Sequence, residues 1–85
     1  MAWIKQRDRL DDAPPDRELR STIVHRLREN PYTQDSRIKV TVHDGTVELD
    51  GRVETPTAKD AASDDAWAVP GVAEVANELT VARAA

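Results

Sequence analysis

The stretch Ile-Lys-Val-Thr-Val-His-Asp-Gly-Thr-Val-Glu-Leu-Asp-Gly-Arg-Val, residues 38–53, decides the fold. Ile38, Val40 and Val42 alternate with Lys39, Thr41 and His43, the period of a strand with one buried face. Asp44-Gly45 follows, a dipeptide that favours the two-residue type I′ turn because both central residues need positive φ. The chain therefore returns at once, with Val47, Leu49, Gly51 and Val53 in phase on the apolar side. A definite register follows. His43 faces Thr46, Val42 faces Val47, Val40 faces Leu49 and Ile38 faces Gly51, while Lys39 meets Asp50 on the solvent side.

On the N-terminal side of this hairpin, Leu19, Ile23 and Leu27 recur every four residues and predict one buried helical stripe. Pro14 and Pro15 suit the helix entrance, and Asp16 and Glu18 favour the positive end of its dipole. Asn30-Pro31 ends the helix near Glu29, because proline disfavours α geometry in its predecessor. Residues 1–13 show no helical or strand period and are read as a flexible lead-in. On the C-terminal side, Pro56-Thr57 opens a second helix to about Val69, with Ala58, Ala61, Ala62, Ala66 and Val69 on one stripe. Such small side chains let a helix approach a sheet closely, and Gly51 is expected to lie beneath it. Pro70-Gly71 stops this helix, and Val75, Leu79 and Val81 alternate as a third strand before a flexible tail, residues 82–85. The domain proper thus spans residues 14–81, an α+β fold in the order α-β-β-α-β.

These elements resemble the BON family, the domain of bacterial osmotic-stress and nodulation proteins. The resemblance is carried by Leu19, Ile23 and Leu27, the strand from Ile38 to Val42, and the series Asp44, Gly45, Val47, Leu49, Gly51, Val53. It continues through Lys59 with Ala61 or Ala62, then Val69-Pro70-Gly71-Val72 with Val75, Asn77, Leu79 and Val81, and covers about residues 17–81. It implies a three-stranded mixed sheet with two helices on one face. It further implies a non-catalytic module with phospholipid as the expected partner, in an osmotic-stress or envelope-maintenance setting. Many members of the family are exported, often with tandem copies or an attached domain, whereas this sequence shows one copy and no signal.

Composition narrows the function classes. The 85 residues hold one small core, with a stability of about a few kcal/mol, and the lack of cysteine removes disulfides and thiolate metal sites. A net charge of −4 argues against nucleic acid as a partner. That charge is unevenly spread: residues 1–43 carry net +2 and residues 44–85 carry net −6. No run reaches the roughly 20 apolar residues of a membrane span, and the opening Met1-Ala2-Trp3-Ile4 lacks a secretory h-region. If Met1 is the native start, the expected location is cytoplasmic; an excised domain would belong to the periplasm or envelope.

Candidate binding residues lie first on the flank of the first helix. Arg17, Arg20, Val24 and Arg28 are spaced by three, four and four residues, so three guanidinium groups surround one apolar side chain. Arginine binds phosphate bidentately, and each basic residue near an anionic membrane contributes about 1 kcal/mol. The ordinary reading of such a flank is a solvated surface. Trp67 falls opposite the alanine stripe, as a headgroup contact or a protein anchor, unless it merely folds over the helix edge. Trp3 and Ile4 beside Lys5, Arg7 and Arg9 form a short apolar tip with basic neighbours, more simply read as a disordered terminus. Gly45, Gly51, Gly71 and Asn77 are assigned structural roles. Asn77, in phase with inward residues, is expected to hydrogen-bond backbone near a strand end or helix terminus.

Nothing in the sequence points to catalysis, a cofactor or a small-molecule substrate. His25 and His43 lie on different elements, Ser21 and Ser63 lack a nucleophile-elbow context, and Asp60 with Asp64 reads as a solvated helix face rather than a metal site. Two functions remain: a module associating with anionic phospholipid, or a protein-interaction module that docks a partner or another copy without lipid.

Overall fold

The computed structural model describes residues 14–82; the lead-in, including Trp3, Ile4, Lys5, Arg7 and Arg9, and residues 83–85 of the tail lie outside the described residues. The elements are α1 (Asp16–Glu29), β1 (Arg37–His43), β2 (Thr46–Val53), α2 (Pro56–Trp67), β3 (Glu74–Asn77) and β4 (Thr80–Val81). β2 is central. It pairs antiparallel with β1 on one side and parallel with β3 and β4 on the other, giving a mixed sheet.

The hairpin has the register that its turn dictates: His43 opposite Thr46, Val42 opposite Val47, Val40 opposite Leu49 and Ile38 opposite Gly51. Asp44 at φ 50° and Gly45 at φ 82° supply the two positive values of a type I′ turn. Both helices cover the same face. Leu19, Ile23 and Leu27 of α1 and Ala58, Ala62 and Ala66 of α2 join Val40, Val47, Leu49, Val53, Val69 and Leu79 in one buried cluster. Burying such side chains is worth about 1.5–3 kcal/mol each for the larger ones, and this cluster is the main source of stability.

Each helix is tied down by local polar contacts. At the start of α1 the carboxylate of Asp16 accepts the backbone N–H groups of Asp44 at 2.9 Å and Gly45 at 3.2 Å, fastening the helix to the hairpin turn. At its end the buried Thr33 hydroxyl donates to the Leu27 carbonyl at 2.6 Å, one of the orphan acceptors of a helix C-terminus. Asn30 then donates its amide to Asp65 at 2.7 Å and joins α1 to α2. α2 opens on Thr55, whose hydroxyl accepts the Ala58 N–H at 3.1 Å, with Pro56 in the first turn. Gly71 packs against Leu19 and Pro14, so that a Cβ there would crowd both side chains.

Three expectations need correction. α2 stops at Trp67 rather than Val69: the Val69 N–H bonds back to Ala66, a tighter turn that leads into Pro70-Gly71, although Val69 stays buried. The expected third strand is two, β3 and β4, interrupted at Glu78 and Leu79. Asn77 accepts the Leu79 N–H on its side-chain oxygen at 3.2 Å, a local turn that withdraws this amide from the ladder. Gly51 is not a seat for α2. It is exposed, at φ 130°, and a Cβ there would run into the backbone of Arg37 on β1, so glycine is needed for strand geometry, not helix approach.

Candidate functional site

Because the Leu19, Ile23, Leu27 stripe faces the sheet, the flank one quarter-turn away faces the outer edge of β1. That flank carries Arg17, Arg20, Val24 and Arg28. The three arginines are exposed and Val24 is half-buried against the core. Among the described residues no carboxylate forms an ion pair with any of the three; the close acid–base pairs are His25 with Glu29 at 3.3 Å and His43 with Asp44 at 3.4 Å. The anchoring of α1 at Asp16 and Thr33 holds the row in place.

The four residues do not act alike. Arg20, Val24 and Arg28 line a shallow depression of about 340 Å³ together with Ser21 and His25, while Arg17 lies outside it. Arg20 has a further commitment: its Nε–H donates to the Val40 carbonyl at 2.9 Å. Val24 and Arg28 also border a smaller, more enclosed hollow of about 220 Å³, shared with Leu27, Arg37 and Ile38. That the helix flank meets a strand edge is not readable from helical spacing.

Trp67 is 51% exposed but lines neither hollow. Tyr32, 61% exposed, is a second aromatic on the surface, and sequence reasoning missed it. It lies in the turn after α1, where the Asn30 side chain accepts its backbone N–H at 2.9 Å. Its sequence signal, an aromatic in a Pro-containing loop, is weak. Asn77 donates its amide to the Lys59 carbonyl of α2 at 2.8 Å, the backbone bond expected of it. Gly45 accepts the Ala73 N–H at 2.8 Å through its carbonyl, so the hairpin turn also receives the approach to β3.

One chemical juxtaposition is visible only on the folded helix. Ser21, His25 and Glu29 stand one turn apart along α1, and His25 meets Glu29. The His25 and Glu29 side chains are 70% and 69% exposed, and mid-helix N–H groups are engaged within the helix, so neither desolvation nor an oxyanion-binding pair is present there. Asp60 and Asp64 are exposed, and among the described residues no group of His, Asp and Glu is placed to hold a metal ion. Nor is any described helix long and apolar enough to cross a membrane.

Compared with known families, the chain matches the model of the BON domain over residues 15–83. That is a family of non-catalytic binding domains to which phospholipid binding is ascribed. No curated protein matches the chain at a significant level.

Proposed function

The chain belongs to the BON domain family, and on that premise we propose that it is a non-catalytic binding module that associates weakly with anionic phospholipid surfaces through the flank of α1. The observation that carries this reading is the row Arg17, Arg20 and Arg28, exposed, unpaired by carboxylates among the described residues, and ranged around Val24. Guanidinium groups chelate lipid phosphates, and a half-buried valine gives the surface an apolar centre. Arg17 and Arg28 make the principal phosphate contacts, since Arg20 is partly engaged by Val40. The acidic half of the chain, net −6 over residues 44–85, disfavours any approach that turns it toward the membrane. Trp67 sits apart from this row and is a second contact only for a tilted molecule. The setting is stress response or upkeep of the cell envelope.

Co-sedimentation with phosphatidylglycerol and with phosphatidylcholine vesicles at low and physiological salt tests the proposal. Binding to the anionic vesicles alone is expected. It should weaken several-fold as the Debye length shortens from about 30 Å at about 0.01 M to about 8 Å at about 0.15 M, and disappear in an Arg17→Ala, Arg28→Ala double variant. Equal binding to both vesicle types, or binding that the double variant retains, would overturn it.

A further inference from the structure

We propose that the outer edge of β1, with the groove between it and α1, takes an extended acidic segment of a partner protein as an added strand. β1 is an edge strand, since the sheet runs β1-β2-β3. Its two-residue turn makes His43 and Thr46 the closing hydrogen-bonded pair. The alternation of antiparallel pairing then directs Thr41, Lys39 and Arg37 toward β2 and turns the N–H and C=O groups of Ile38, Val40 and Val42 outward. Among the described residues only one of these outward groups has a partner, the Val40 carbonyl, held by Arg20 Nε–H. Arg20 thus stands where the N–H of a neighbouring strand would stand. No proline or register shift interrupts the edge, and its charges, Arg37 and Lys39, discourage addition of a like-charged strand while admitting an acidic one.

The ground beside the edge is suited to side chains. The hollow of about 220 Å³ has Val24, Leu27 and Ile38 as apolar surface, with Arg28 and Arg37 at its rim. It adjoins, through Val24 and Arg28, a shallower depression lined by α1 alone, so the strand meets the hollow at Arg37 and Ile38. Successive residues of a strand point to opposite faces, so every second side chain of an added strand would reach this apolar floor. The charge of the occupant is set by Arg20, Arg28, Arg37 and Lys39, none of them ion-paired among the described residues. A second copy of β1 is the wrong occupant. Antiparallel pairing about Val40 would set two α1 flanks that each carry Arg20 and Arg28 against one another, an unfavourable like-charge arrangement.

This inference is independent of the lipid reading, because lipid needs only the arginine side chains whereas a strand needs the backbone of β1. The ¹⁵N-labelled chain would be titrated with a capped peptide of alternating glutamate and valine and, separately, with phosphatidylglycerol vesicles. The peptide is expected to slow hydrogen exchange at the Ile38, Val40 and Val42 amides by at least about tenfold, and to shift the Arg20 Nε–H resonance as it leaves Val40. Lys39→Glu, on the face that the glutamates take when the valines meet the apolar floor, should weaken the peptide about tenfold, whereas Arg17→Ala, outside the groove, should affect vesicles but not peptide. The exchange readout uses the unaltered chain, so it does not depend on a variant folding. The proposal is overturned if saturating peptide leaves those amides unprotected, if the peptide does not bind, if vesicles protect them equally, or if protection grows with protein concentration alone.

Discussion

The two sides of β2 are built by different means. Its β1 side is a local, antiparallel ladder of continuous register from Arg37–Arg52 to His43–Thr46, closed by a two-residue turn. Its other side is a parallel pairing reached through the whole of α2, and it is broken into β3 and β4. Turn chemistry and alternation set the register of the first side, which Asp16 and the common core then hold. The second side has no such local guarantee, and it is held by three tertiary anchors: buried Leu79, the Asn77 bridge to α2, and flanking bonds from Glu78 N–H to Leu49 at 2.9 Å and Ala82 N–H to Val53 at 2.7 Å. The continuous side ends on β1, whose Val40 carbonyl is met by Arg20, whereas the broken side is tied to α2 through Asn77.

The strongest way to break this comparison is Leu79→Ala. Leu79 is 3% exposed, and truncation in a core leaves a cavity costing about 3 kcal/mol, most of the stability of so small a domain. Val42→Ala, on the half-buried end of the hairpin, should cost only about 1 kcal/mol. Urea midpoints compare the two; equal losses would mean that the split side is no more dependent on its core anchor than the hairpin. Gly51→Ala should come next, at about 2 kcal/mol, because the positive φ strains any side chain and the Arg37 backbone occupies the space a Cβ would need. If Gly51→Ala unfolds at the same urea concentration as the parent, the strand geometry assigned to this residue is wrong.

The same contrast explains what is legible in the sequence. Hairpin register, the α1 stripe and the alanine face of α2 each follow from residues close in the chain, and the structure has all three. Gly51 is misleading in the sequence because alternation reports phase but not φ: the residue is in phase with Leu49 and Val53, yet its backbone leaves the extended region. The roles of Thr33 and Asn30 are hidden because their partners, Leu27 across the helix end and Asp65 on α2, become neighbours only after folding. The arginine row is legible as a flank. Its abutment on the open edge of β1, and therefore the engagement of Arg20 by Val40, requires the packing of α1 on the sheet.

The smallest effect sharpens the comparison most. Asn77 joins two anchors of the split side, donating to Lys59 at 2.8 Å and accepting from Leu79 at 3.2 Å. Asn77→Ala removes both bonds and leaves the Leu79 N–H without its acceptor, at a cost of about 1–1.5 kcal/mol. Asn77→Asp keeps an acceptor for Leu79 but loses the donor to Lys59 and places a charge beside a carbonyl, so it should not restore the parent. The decisive readout is local. Hydrogen exchange at Glu78 and Ala82 should quicken by about tenfold in Asn77→Ala while Thr41 and Lys39, paired with Glu48 and Asp50 in the hairpin, keep the protection that their global stability allows. If all four amides quicken together, the sheet opens as one unit, and the division of β2 into a locally registered side and a side anchored through Asn77 does not hold.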